Sequence, residues 1–249
     1  AWLVLATALV LAACGGGGGG GGKGQPTLVQ SHSSPIALTS DNALVWVANP
    51  DNDSVSVLEV DGNKNRKLTE IPVGDEPRCV AITPDDKKIY VTNAGGGNVS
   101  VISAATRTVS KTISVGVEPL GCALTLDGAK LYVANFVSDS VSVIDTASDA
   151  VTKTIEGVGS RPRGIAVASV GGQSKVYVTQ FLAQLKQDAR SVDQKEGFDD
   201  GKEGRVTVIS AASDTVTGTV TLAPGLSAPF ASPRRSMREG GASTTCQVL

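Results

Sequence analysis

Four tetrapeptides recur along this chain at a nearly fixed interval: Trp46-Val-Ala-Asn49, Tyr90-Val-Thr-Asn93, Tyr132-Val-Ala-Asn135 and Tyr177-Val-Thr-Gln180. Their starts lie 44, 42 and 45 residues apart. Each is followed by a second alternating segment: Ser54-Val-Ser-Val57, Asn98-Val-Ser-Val101, Ser140-Val-Ser-Val143 and Arg205-Val-Thr-Val208. Proline-led stretches precede them, as in Pro77-Arg-Cys-Val-Ala-Ile-Thr83 and Pro162-Arg-Gly-Ile-Ala-Val-Ala168. A period of this size marks one supersecondary unit copied along the chain. Such a unit cannot bury its faces alone and must stack on its own copies.

Within a unit the periodicity is two, not 3.6. Residues 78–83, 88–93, 98–103 and 108–114 alternate and are rich in Val, Ile, Thr and Tyr, which predicts four short strands. Pro84-Asp-Asp-Lys87, Ala94-Gly-Gly-Gly97 and Ala104-Ala-Thr-Arg107 supply the hairpin turns between them. The chain is therefore read as all-β, a β-propeller of four-stranded antiparallel blades. A β-sandwich would not require such strict internal repetition. In each tetrapeptide the aromatic residue (Trp46, Tyr90, Tyr132, Tyr177) and the valine after it point to opposite faces, toward opposite neighbouring blades. Asn49, Asn93 and Asn135 stand where a strand enters a turn, so their side chains are expected to bond the local backbone. Residues present in every blade are read as structural, and no catalytic residue is assigned.

The motif residues also resemble the YVTN-type β-propeller repeats of bacterial and archaeal exported and surface-layer proteins. The clearest copy is Tyr132-Val-Ala-Asn135 with Val141-Ser-Val-Ile-Asp145, and the resemblance covers about residues 28–222. It implies a propeller of seven blades and says little about function. Seven units of about 42 residues exceed the 249 present, so about four to five blades are expected, as a fragment of a seven-bladed ring. Residues 28–231 are assigned to blades, and residues 232–249, which carry none of the blade pattern, to an atypical tail.

Ahead of the repeats, residues 1–13 form an apolar stretch with the length of a signal-peptide core, too short for an ordinary membrane-spanning helix. It ends Leu11-Ala12-Ala13-Cys14, which resembles the lipobox of bacterial lipoproteins, with Cys14 as the lipidated residue. The unbroken run Gly15 to Gly22 follows, and residues 14–27 read as a tether of roughly 20 Å reach. The expectation is a cell-envelope protein held to a membrane by lipid and facing the periplasm or exterior.

Composition removes several functional classes. Lys and Arg total 22 against 24 Asp and Glu, so there is no broadly basic nucleic-acid surface. Aromatic residues are 4%, which leaves few stacking platforms. His32 is the single histidine, which removes most histidine-based acid–base, zinc and haem chemistry. No CxxCH, GxGxxG, Walker A or GxSxG motif occurs.

Specific function is expected where the copies diverge. The largest divergence is an insertion at about residues 181–204, read as a solvated excursion that starts with a helical turn. A protein- or glycan-binding loop is one alternative reading of it. A weak calcium site at Asp199, Asp200 and Glu203 is another, without EF-hand spacing; no other cofactor is expected. Cys79 and Cys122 are offset by one residue between their blades, which reverses their facing, and are read as buried apolar fillers rather than a disulfide. Arg78, Arg161 and Arg163 start the first strands and are read as solvated charge, with an anionic ligand at the channel mouth as the alternative. The function expected is a non-enzymatic binding or scaffold module at the envelope. The alternatives are a lactonase- or lyase-like propeller enzyme and a propeller partner of a redox protein.

Overall fold

The computed structural model describes residues 35–60, 62, 65–185 and 202–222. Cys14, the glycine tether, His32, Asp199, Asp200, the tail 232–249 and its Cys246 lie outside these described residues. Sixteen strands form four meanders, each a blade of four antiparallel strands, and a further short strand extends the last blade. The first blade holds β1 (Ile36–Leu38), β2 (Leu44–Asn49), β3 (Ser54–Glu59) and β4 (Arg66–Pro72). The second holds β5 (Pro77–Ile82), β6 (Lys88–Asn93), β7 (Asn98–Ser103) and β8 (Thr108–Ser114). The third holds β9 (Pro119–Leu124), β10 (Lys130–Asn135), β11 (Ser140–Asp145) and β12 (Ala150–Ile155). The fourth holds β13 (Pro162–Val170), β14 (Gln173–Gln180), β16 (Lys202–Ser210) and β17 (Thr215–Leu222), with β15 (Gln184–Leu185) paired to the start of β16. These are propeller blades. Among the described residues no helix is long and apolar enough to cross a membrane.

Alternation decides how the blades stack. One face of each sheet carries a row across its three inner strands: Ala37–Trp46–Val57, then Ala81–Tyr90–Val101, then Ala123–Tyr132–Val143. All nine residues are buried against the blade that follows. The opposite face carries the aliphatic set that meets this row, as Val80, Ile89, Val91 and Ile102 meet Trp46 and Val57. Tyr90 thus packs in the core shared with the third blade, while Val91 packs in the core shared with the first. Each buried aromatic side chain contributes roughly 2–3 kcal/mol through the area it removes from water. There are three such cores, one per seam, and among the described residues none joins the fourth blade to the first.

Cys79 and Cys122 form a disulfide with Cα atoms 5.9 Å apart, which corrects their reading as separate fillers. Facing is indeed reversed by the one-residue offset. The two cysteines, however, belong to different sheets that stack face to face. Opposed directions within the repeat are therefore the condition for meeting: Cys79 points forward from β5 and Cys122 points back from β9 into one core.

The asparagines that end the motif strands also behave differently from expectation. Their amides donate across the hairpin to side chains rather than to the turn backbone. Asn49 Nδ2 reaches Ser54 and Ser56 Oγ at 3.1 and 2.9 Å, and Asn135 Nδ2 reaches Ser140 and Ser142 Oγ at 3.1 and 2.9 Å. Asn93 Nδ2 donates to Asn98 Oδ1 and Ser100 Oγ at 2.7 and 2.9 Å. Asn135 Oδ1 accepts the Gly116 N–H at 3.2 Å, which ties the hairpin to the loop entering its own blade. The serines of each Val-Ser-Val segment are the partners that the turn backbone was expected to be.

A second repeated device clamps the seams. Lys88 Nζ and Tyr90 OH both donate to Asp149 of the next blade, at 2.8 and 2.5 Å. Lys130 Nζ donates to Asp214 at 2.7 Å, and the Tyr132 hydroxyl donates to its other carboxylate oxygen. Asp149 and Asp214 each stand just before an outer strand with φ near +50° (51° and 52°), the left-handed conformation that Asp tolerates in a tight turn. Burial, with the carboxylate alongside, pushes both phenols well above the ordinary tyrosine range. The first seam lacks the clamp: Leu44 and Trp46 replace Lys and Tyr, and Arg107 stands where the aspartate would be.

Candidate functional site

The inner strands β1, β5, β9 and β13 present two cavities, one at each end. At the C-terminal ends of β1, β5 and β9 a space of about 280 Å³ is lined by Thr39, Ser40, Asn42, Thr83, Asp86, Thr125 and mostly aliphatic residues. Its threonines, and Ser40 with Asp86, are committed to bonds within the fold. Each threonine hydroxyl donates to an aspartate two residues on and accepts the backbone N–H five residues on, as Thr83 does with Asp85 (2.7 Å) and Lys88 (3.1 Å). These bonds hold the carboxyls of Asp41, Asp85 and Asp127 below the usual range. Little is left there for a ligand.

The opposite mouth is different. A cavity of about 580 Å³ is lined by Arg78, Cys79, Glu118, Phe136, Arg163, Thr179 and Phe181, among others. Phe136 follows Asn135 in the third blade and Phe181 follows Gln180 in the fourth, where the first two blades hold Pro50 and Ala94. The two rings lie 5.7 Å apart, tilted at 59°. Arg161 caps one ring at 5.3 Å and Arg163 the other at 5.5 Å. The result is a column, Arg161–Phe136–Phe181–Arg163, in which an arginine flanks each end of a phenylalanine pair from two successive blades. Stacking of this kind contributes about 0.5–1 kcal/mol per pair at an exposed site. A guanidinium held against a ring face can still offer its edge N–H donors to a ligand.

Local structure explains why these groups converge. Arg161 is held in the left-handed conformation (φ 54°), its N–H donating to Asp139 Oδ1 at 2.7 Å. The Phe181 N–H donates to the Arg161 carbonyl at 2.9 Å, and the Phe136 N–H to the Glu118 carbonyl at 2.9 Å. Among the described residues neither Arg161 nor Arg163 meets a carboxylate, whereas Arg78 is paired with Glu76 at 3.5 Å. The wall behind the column is stiffened by the Cys79–Cys122 bridge.

Of the residues singled out by sequence, Arg78 and Arg163 line this cavity, and Arg161 stands beside it on Phe136. Trp46, Tyr90 and Tyr132 are fully buried between blades and reach neither cavity, and Tyr177 lies half-buried on the outer face of the fourth blade. Glu203 of the proposed calcium set has its carboxylate on Arg205, at 2.6 and 2.9 Å. Among the described residues no group of three potential metal ligands comes together. The insertion does not open with a helical turn; Gln184–Leu185 is a strand paired with Glu203 and Lys202, so the excursion leaves and re-enters as an extended ribbon. Phe136 and Phe181 were missed by the sequence reading. Their signal was available as the two aromatic exceptions at one repeat position.

The family model described as Lactonase, 7-bladed beta-propeller matches residues 22–110. Hydrazine synthase from Kuenenia stuttgartiensis superposes with a TM-score of 0.62 at 23% identity, covering 79% of this chain and 52% of that chain. The likeness is one of fold. This protein spans about half the length of the hydrazine synthase chain. A putative 6-phosphogluconolactonase from Bacteroides fragilis is also similar, with a TM-score of 0.47 at 17% identity over 52% of this chain and 40% of that one. No curated protein sequence matches.

Proposed function

We propose that this protein is an envelope binding module that takes a small hydroxylated anion at the channel mouth. The observation that carries the reading is the Arg161–Phe136–Phe181–Arg163 column beside a cavity of about 580 Å³. Guanidinium edges suit a carboxylate or phosphate. Glu118 in the same wall offers an acceptor for hydroxyl groups. Export is supported by the Cys79–Cys122 disulfide, which belongs to oxidising compartments. Tethering through lipid at Cys14 follows from the lipobox-like Leu11-Ala12-Ala13-Cys14 and its glycine run. Palmitate labelling in a bacterial host that persists in Cys14→Ala would remove the tether from this reading.

Calorimetry with gluconate, galacturonate and inorganic phosphate tests the site. Binding of at least one, weakened about ten-fold or more by Arg163→Ala, is expected from the loss of charge-assisted hydrogen bonds. No heat with any of the three, or affinity unchanged in the variant, overturns it. The match of residues 22–110 to a lactonase family favours a second reading, lactone hydrolysis at this mouth with Glu118 as general base. Turnover of glucono-δ-lactone that is lost in Glu118→Gln would select the enzyme over the module.

A further inference from the structure

Three charged residues occupy one strained position of the repeat. Glu76, Glu118 and Arg161 each stand immediately before the proline that opens an inner strand, with φ of 52°, 55° and 54°. That left-handed region is disfavoured for any residue with a Cβ, and again for a residue that precedes proline. Each is pinned there by the hairpin of its own blade: the N–H groups of Ala94, Phe136 and Phe181 donate to the Glu76, Glu118 and Arg161 carbonyls, each at 2.9 Å. What differs between blades is the residue two places on. Glu76 is followed by Arg78, and the two pair at 3.5 Å, so the second blade neutralises itself. Glu118 is followed by Leu120, which gives the third blade a carboxylate with no cation beside it. Arg161 is followed by Arg163, which gives the fourth blade two guanidinium groups and no carboxylate. Among the described residues the Glu118 carboxylate makes no ion pair, with Arg163 or any other cation, although Glu118 and Arg163 line the same cavity of about 580 Å³. Opposite charges that line one cavity without meeting give it a negative wall and a positive wall.

We propose that the ligand of this mouth is a zwitterion: a small hydroxylated acid that also carries an ammonium group, with its anionic end on Arg163 and its ammonium on Glu118. This rests on the anion reading given above and narrows it. A purely anionic ligand satisfies the arginines but leaves its charge beside an unpaired carboxylate, which Coulomb repulsion in a partly desolvated cleft disfavours. An ammonium group at Glu118 turns that repulsion into a charge-assisted hydrogen bond. A purely cationic ligand meets the converse obstacle at Arg161 and Arg163. Complementary charge at both ends also fixes the direction in which the ligand lies. Phe136 and Phe181 line the same cavity and offer apolar surface to its carbon frame.

The test is calorimetry on the full chain at neutral pH with gluconate, 2-amino-2-deoxygluconate and 6-amino-6-deoxygluconate. The two analogues exchange one hydroxyl for an ammonium group at either end of the same carbon chain. At least one of them is expected to bind about ten-fold or more tightly than gluconate. Glu118→Gln removes that preference. Leu120→Arg keeps the carboxylate but copies the self-neutralised Glu76–Arg78 arrangement, and it removes most of the preference too. Circular dichroism checks that both variants are folded. Gluconate bound as tightly as both analogues, or a preference that survives in either variant, overturns the zwitterion and leaves the anion reading standing. If neither gluconate nor an analogue binds, the two fail together.

Discussion

The disulfide offers the sharpest test of how these blades are held, because its contribution can be worked from its position alone. Cys79 and Cys122 are separated by 43 residues, almost one full repeat. Cross-linking a loop of that length removes conformational entropy from the unfolded chain worth about 4 kcal/mol at room temperature. Domains of this kind are held by about 5–15 kcal/mol in total, so the bridge is a large share. Both sulfurs lie in the core between the second and third blades, with Cys79 1% and Cys122 0% exposed. A reductant should therefore act only through unfolding. The perturbation is Cys79→Ala/Cys122→Ala, followed by urea denaturation monitored by circular dichroism. With a denaturant slope near 2 kcal/mol per molar, the midpoint should fall by about 2 M. A fall under about 0.5 M would refute the loop-entropy argument. So would quantitative labelling of both thiols in the native, unreduced protein.

The seam clamps make a second expectation: Asp214→Asn should destabilise by about 1–3 kcal/mol, measured by the same denaturation, because it leaves Lys130 and Tyr132 without their acceptor. Because the folded-state phenols of Tyr90 and Tyr132 titrate above the unfolded value, stability is fully present below about pH 10 and falls as pH rises beyond it. Tyr132→Phe should flatten that alkaline loss in a pH series of melts, and an unchanged slope would count against the clamp. Gly128 has φ 70°, and a Cβ there would stand 2.5 Å from the Pro84 ring. Gly128→Ala should cost about 1–3 kcal/mol; a stabilised variant would contradict that close approach.

Much of the scaffold was legible because period-two alternation inside a 42–45-residue repeat admits few folds. The strands expected at 88–93, 98–103 and 108–114 are β6, β7 and β8, and the fourth begins one residue earlier than expected, at Pro77. What escaped was everything that depends on the relation between sheets. The facing rule for the cysteines was correct within a sheet and inverted between two stacked ones. The Lys-x-Tyr spacing is visible in the sequence, but its acceptors lie 59 to 84 residues downstream, at Asp149 and Asp214, beyond any local pattern. Likewise Phe136 and Phe181 reveal a site only once adjacent blades place them 5.7 Å apart.

Seams of unequal construction imply an order of disassembly. Among the described residues the first and second blades share no Lys–Tyr–Asp clamp and no disulfide, and Trp46 Nε1 is buried without a hydrogen-bond partner. Exposed bonds such as Ser40 N to Asp86, 3.0 Å, remain to hold that junction at its rim. Between the second and third blades both the clamp and the disulfide operate. In a repeat protein each junction opens on its own free energy. Native-state hydrogen exchange should therefore show the first blade peeling away as a separate unit while the next two persist as a covalent pair. Under thermal or mechanical stress an added protease should cut this molecule first in and after the first blade, near Asn65 and Val73, well away from the arginine–phenylalanine column, which would keep its geometry after the first blade has gone.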